Sequence, residues 1–244
     1  MNKATPFLFA KLMRLYSEFF IKTPTIEGLD NLTQIPLDQP LVIASTHLSD
    51  IDVQTIATNI AQYRDIGIAS QSSNQRNIIT GSFLRIAGNE NIFGITDEHD
   101  PKTHRSRYIF NPQDFRIMAD AMQIGKTIII AAHKPTYDWR LPEKPGKGAV
   151  YLAQLTKAMI LPIALNIKSN MPVGMADHKL DSIKRFILRK RPNAKITIGK
   201  PIRLPPINIE DVDKLKKQGK IIMESLQNML PPEKQYLKEV QITN

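Results

Sequence analysis

Two histidines in this chain carry an aspartate five positions downstream. His47 is followed by Asp52 and His133 by Asp138. Each histidine comes directly after an apolar run, at 41–46 and 126–132, and such runs read as buried strands. A histidine at a strand end facing an acid at the start of the next helix is a base with an orienting partner. The carboxylate accepts the imidazole N–H and fixes the tautomer, and the other ring nitrogen is free to take a proton from a hydroxyl. In the His47 copy, Thr46-His47-Leu48-Ser49-Asp50-Ile51-Asp52 runs straight into a helical pattern, as that geometry needs. The bland alternative is an aspartate that caps the helix beside an incidental histidine, with Asp50 competing for the cap. The His133 copy runs into Pro135 and an irregular Pro/Lys-rich stretch. Proline disfavours helix at the residue before it, so Asp138 reads as coincidence. The set lacks a serine or cysteine nucleophile beside the base, so the pattern suits an enzyme whose nucleophile is the acceptor alcohol itself.

Other candidates are weaker. His99, His104 and His133 match no ligand spacing, and no metal is expected. Gly125-Lys126-Thr127 lacks the upstream glycine of a phosphate loop and precedes a strand, so it reads as a turn. Gly146-Lys147-Gly148 opens a helix whose free N–H groups, with Lys147, could hold a phosphate or another anion; a plain glycine turn is the equal alternative.

The elements that must position these residues alternate. Strands are expected at 41–46, 65–70, 91–96, 126–132, 160–166 and 195–199. Helices are expected near 52–62, 76–87, 112–124, 147–158, 180–191 and 208–230, the last stopped by Pro231-Pro232. That order implies an α/β fold, a single domain with a mixed or largely parallel sheet flanked by helices. Long connections are expected at 97–111 and 133–146, where function tends to sit.

Composition sets the class. The 244 residues are 42% hydrophobic and 23% charged, which is globular. There is no cysteine, which removes disulfides, thiolate metal sites and cysteine nucleophiles. No apolar run is long enough to span a bilayer, and no signal-peptide pattern is present. A cytoplasmic protein is expected, resting on the inner face of the cell membrane. Two segments motivate that contact. Residues 1–24 are expected to form an N-terminal amphipathic membrane-associating helix, apolar through 7–20 with Lys3, Lys11, Arg14 and Lys22 around it; a helix packed on the domain is the equal alternative. Residues 179–203 carry nine cations against Asp181 alone, leaving +8 of the chain's +10 there. A field of that size attracts an anionic lipid surface; nucleic acid is not expected, because no aromatic platform or nucleic-acid motif accompanies it.

Taken as an ordered set, the residues resemble a known family. The set is Ile26-Glu27-Gly28-Leu29-Asp30-Asn31-Leu32, then His47-x4-Asp52, then Gly81-Ser82-Phe83-Leu84-Arg85 with Gly88. The loop of His133 to Thr136, Gly148-Ala149, Leu161-Pro162-Ile163-Ala164-Leu165 and Ile198-Gly199-Lys200-Pro201-Ile202 complete it. This resembles the glycerolipid acyltransferases typified by 1-acyl-glycerol-3-phosphate acyltransferase, over residues 25 to 204, with 25–244 as the acyltransferase domain. The resemblance implies transfer of a fatty acyl group from a thioester, on CoA or acyl carrier protein, to a hydroxyl of a lysophospholipid or related lipid. His47 would be the base and Asp52 its orienter, with no cofactor beyond the thioester co-substrate. Two blocks depart from the family. Where it has Phe-Pro-Glu-Gly-Thr-Arg this chain has Ala132-His133-Lys134-Pro135-Thr136-Tyr137, and Thr96 stands where a strand-ending arginine is usual. Only Thr136 matches in the third block, and Lys134 or Arg85 would substitute for the missing charges toward an acceptor phosphate. The departures leave two other readings open: a lipid-binding homologue with reduced catalysis, and an acyltransferase for a non-phosphate lipid.

Overall fold

The computed structural model describes residues 15, 18, 20–49, 51–72, 91–100, 105–134, 140–168 and 191–236. The expected helices at 76–87 and 180–191, most of the N-terminal segment, Arg85, His104, Thr136 and Asp138 lie outside the described residues, as does the side chain of His99.

Seven strands form the main sheet: β1 (Thr25–Glu27), β2 (Leu41–Ser45), β3 (Ile66–Gln71), β4 (Ile92–Ile95), β7 (Thr127–Ala131), β8 (Met159–Ile167) and β9 (Ala194–Ile198). Their spatial order is β1-β9-β8-β2-β7-β3-β4. Every pairing is parallel except β8 with β9. β2 lies between β8 and β7 and is buried on both faces, which is why Leu41-Val42-Ile43-Ala44 reads as an unbroken apolar run. β8 carries Pro162 in register with Ala44 of β2, at the point where its pairing on the β9 side is interrupted. Pairing passes from Ile163–Ile198 to an isolated Ile160–Ile202 bridge, while the Pro162 carbonyl still accepts from Gly199 N at 2.9 Å.

The helices are α1 (Asp30–Thr33), α2 (Asp52–Ile60), α3 (Pro112–Gln123), α4 (Gly148–Thr156) and α5 (Val212–Met229), with a 3-10 turn at Pro232–Lys234. They divide between the two sheet faces. Val42, Ala44, Ile128, Ile130, Ile160 and Ala164 share one core with α3, α4 and α5. Leu41, Ile43, Ile129, Leu161, Ile163 and Leu165 share the other with α2 and the chain around Ile21 and Leu32. Local sequence explains the helix ends. Asn111 caps α3 by accepting from Gln113 N at 3.1 Å, with Pro112 in the first turn. Asp211 caps α5 by accepting from Lys214 N at 3.0 Å. On α5 the buried Leu215, Ile222, Met223 and Leu226 recur at helical spacing. The turn after β1 requires glycine, since Gly28 has φ +74° and a Cβ there would stand 2.3 Å from the Ile198 carbonyl oxygen.

The expected strands and helices among the described residues appear within a few residues of their sequence-based bounds. The long connection expected at 97–111 is different. It contains an antiparallel hairpin, β5 (Asp97–Asp100) with β6 (Arg105–Tyr108). Its strands are polar and have no apolar alternation to mark them.

Candidate functional site

The strands β2 and β7 end side by side, β8 runs on past them, and the site is assembled at this carboxyl end of the sheet. Beyond β2 the chain stays fixed for one more residue. Thr46 N donates to Ile163 O at 3.2 Å, and Thr46 Oγ1 accepts from Leu165 N at 3.1 Å. Ala132 N donates to Ser45 O at 2.8 Å from the other side. His47 therefore leaves a backbone clamped by both neighbouring strands.

The next contact was not foreseen. His47 N donates to His133 Nε2 at 3.0 Å, and His133 Nδ1 donates to Lys134 O at 2.7 Å. His133, 3% exposed, thus uses both ring nitrogens to lock the ends of β2 and β7 together. Neither nitrogen keeps a lone pair for a metal. Burial, chiefly, holds its pKa down to about 4, and repulsion from His47 adds to this. His133 is neutral, and it is a latch.

Half-buried His47 directs Nδ1 to the carbonyl oxygen of Ser49 at 3.1 Å. That acceptor selects the tautomer with the proton on Nδ1, so Nε2 carries the lone pair. Burial lowers the imidazole's pKa and the Ser49 bond opposes it, leaving a neutral ring above the ordinary histidine range.

Asp52 corrects the sequence expectation. Its carboxylate does not accept the imidazole proton. Oδ2 accepts from Leu48 N at 2.7 Å and Oδ1 accepts from Ser49 Oγ. Asp52 N also donates to Ser49 O at 3.3 Å, the oxygen that orients His47. A carboxylate at the first turn of α2 is drawn to the turn's unpaired donors before it can reach the ring, so orientation passes through Ser49. Asp52 is 1% exposed, and burial pushes its carboxyl up to about 7 against the Ser49 and Leu48 hydrogen bonds and the attraction of Lys234.

The start of α4 is at the same end. Gly146 N donates to Ala132 O at 2.6 Å, which sets Lys147 and Gly148 beside the end of β7. Gly148 is pressed against the core; a Cβ would meet Ile130 Cδ1 at 2.7 Å and the Phe115 ring. That packing accounts for the glycine, whatever the helix start binds. Lys147 lies 5.9 Å from the centroid of the Phe110 ring, in an aromatic group with Phe115 and Tyr151. Lys134 is exposed. Thr96 is tied into a knot at the start of α3. Its N and Oγ1 donate to Asp114 at 2.6 and 3.1 Å, and Asn111 Nδ2 donates to Thr96 Oγ1 at 3.0 Å. Thr96 follows the sheet-edge strand β4, three strand positions from β2 and so about 14 Å away.

His47, His133 and the α4 start are thus brought together; Thr96 is not. Sequence reasoning missed Ser49 and the latching role of His133. Ser49 could have been found, since a serine three residues before a buried helix-start aspartate is a turn signal. Among the described residues no helix is long and apolar enough to cross a membrane.

The fold has a known counterpart. It matches the crystal structure of the 1-acyl-sn-glycerophosphate (LPA) acyltransferase PlsC from Thermotoga maritima with a TM-score of 0.56. The match covers 93% of this chain and 82% of that one at 13% sequence identity, which is a likeness of fold. No protein-family model matches the sequence, and no curated protein sequence does.

Proposed function

We propose that this protein is an acyltransferase that moves a fatty acyl group from a thioester, on CoA or acyl carrier protein, to a hydroxyl of a lysophospholipid or related lipid. The observation that carries the reading is the neutral His47 ring, held by Ser49 O through Nδ1 so that Nε2 bears the lone pair. The acceptor hydroxyl gives its proton to Nε2 as its oxygen attacks the thioester carbonyl. The carbon–sulfur bond then breaks, and the thiolate takes the proton from Nε2. No covalent acyl-enzyme forms, in keeping with a motif whose one serine gives its hydroxyl to Asp52 and meets the imidazole only through its backbone carbonyl. Asp52 acts one step back, by bracing the turn. Lys147 and the N–H groups opening α4, together with Arg85, Lys134 and Thr136, are assigned to the anionic parts of donor and acceptor.

Residues 1–24 and the basic segment 179–203 are assigned to an anionic membrane surface, on the inner face of the cell membrane. Their inner ends meet, which supports a shared docking face. Lys22 N donates to Pro192 O at 3.0 Å, and the Arg191 guanidinium donates to Glu18 O.

One observation favours a second reading. Thr96 is consumed by Asp114 and Asn111, at the position where the resembled family holds acceptor phosphate. A lipid acceptor without phosphate fits that arrangement. Incubating the protein with labelled acyl thioesters and a panel of lysolipids with and without phosphate decides between them. Turnover supports the enzyme; binding without turnover supports a lipid-binding protein and contradicts it. For a phosphate acceptor, Lys134→Ala raises KM about tenfold, the value of one charge-assisted contact; unchanged kinetics removes Lys134 from that role.

A further inference from the structure

The ammonium of Lys147 lies over the ring of Phe110, with Nζ 5.9 Å from the centroid. The two residues belong to different elements. Phe110 stands between the β5–β6 hairpin and α3, and Lys147 opens α4. The backbone on either side of the ring is pinned. Ile109 N donates to Thr96 O at 3.0 Å, and Asn111 Nδ2 donates to Thr96 Oγ1 at 3.0 Å and to Asp114 Oδ1 at 3.1 Å. The ring itself stacks on Phe115 at 5.0 Å and meets Tyr151 edge-on at 4.9 Å. Tyr151 is four residues after Lys147 and shares its face of α4, so a ring packed on Tyr151 is within reach of the lysine. Lys147 is half-buried, and among the described residues its ammonium has no carboxylate partner. A lysine left to solvent samples many rotamers; an aromatic face that attracts the cation removes part of that freedom. The backbone of this lysine is one residue from the site. Gly146 N donates to Ala132 O at 2.6 Å, and a Cβ on Gly146 would stand 3.5 Å from His133 Cα.

We propose that Phe110 is a positioning residue for Lys147: its ring holds the ammonium at the start of α4, ready to meet a phosphate of the thioester carrier or of the lipid acceptor. The inference rests on the proposed acyl transfer, in which Lys147 is assigned to an anionic part of a substrate. An ammonium that is already ordered loses less freedom on binding and so binds phosphate more tightly. Leucine would fill the space between Phe115 and Tyr151, but only an aromatic ring offers the cation a negative face.

Two arms test this, and the first needs no turnover. In protein carrying isotope-labelled methylated lysines, the Lys147 signal, assigned by its loss in Lys147→Met, is shifted upfield by the ring current beneath it. Phe110→Leu returns that signal to the position of solvated lysines, and Phe110→Tyr does not. A parent signal already at that position overturns the proposal, as does one that Phe110→Leu leaves in place. Should Phe110→Leu not fold, Phe110→Met removes the same π face. In the kinetic arm, Phe110→Leu raises KM for one substrate about three- to tenfold with kcat unchanged, and Phe110→Tyr restores it. A rise for acyl-CoA or acyl carrier protein places the phosphate on the donor; a rise for a lysophospholipid places it on the acceptor. In a Lys147→Met background Phe110→Leu has no further effect on KM, whereas its cost in melting temperature is the same. A KM that rises equally in both backgrounds makes Phe110 a packing residue and overturns the proposal, as does an unchanged KM for every substrate. A protein that turns over no thioester defeats the proposed function, and the lysine signal still decides whether Phe110 holds Lys147.

Discussion

His47 and His133 occupy nearly the same position in sequence, each after a central strand with an aspartate five residues on. They differ in what their ring nitrogens have left to do. His133 donates through Nδ1 and accepts through Nε2, and both partners are backbone. His47 has Nδ1 engaged by Ser49 O, and its Nε2 lone pair remains for chemistry. A shared motif therefore separates into a latch and a base once hydrogen bonds are counted. Spacing brings a histidine to a strand end; its neighbours decide whether it is basic in any useful sense.

The comparison is broken most severely by exchanging the two roles. His47→Ala lowers the acyl-transfer rate by about 10²–10⁴, the usual range for a general base. His133→Gln, whose amide oxygen can still accept from His47 N, stays within about tenfold of the parent. Steady-state assays of both variants check this, and equal losses would erase the distinction.

Stability against pH sharpens it next. His133 has its folded pKa at about 4, below the ordinary 6.5, so the unfolded chain takes up its proton first as pH falls. Its contribution is complete above pH 6.5 and is lost progressively toward pH 4, on the order of 3 kcal/mol. Asp52 has the opposite sign. Its folded pKa of about 7 lies above that of an ordinary carboxyl, so its native-state stabilisation is present below about pH 4 and lost as pH rises to 7. Urea titrations from pH 4 to 8 should show His133→Gln steepening the fall of stability with rising pH, and Asp52→Asn removing that fall. Parallel curves for parent and variants would contradict both assignments.

Smaller effects follow. His133→Leu leaves the His47 N–H buried without an acceptor and costs about 1–3 kcal/mol in denaturant unfolding. Thr96→Val removes the hydroxyl from the Asp114 knot, costs about 1 kcal/mol and leaves turnover unchanged, since that knot is at the sheet edge.

The same contrast explains what the sequence made legible. β2, β7 and β8 are central and buried on both faces, so their apolar runs mark them within a residue or so. The hairpin of β5 and β6 is silent in the sequence because Asp97-Glu98-His99-Asp100 and Arg105-Ser106-Arg107-Tyr108 carry no apolar face. In the site, His47 was visible from its place at a strand end, and Asp52 from its place at a helix start. That Asp52 acts through Ser49 was not, because the Leu48 N–H and the Ser49 hydroxyl compete with the ring for its oxygens.

The most direct measurement is a 15N NMR titration of the imidazoles in the folded protein. His47 is expected to carry its proton on Nδ1, with an unprotonated Nε2 at every pH above 6.5 and an Nε2 resonance that shifts when a hydroxyl-bearing lipid is added. A proton on Nε2, or a resonance indifferent to that lipid, would contradict it.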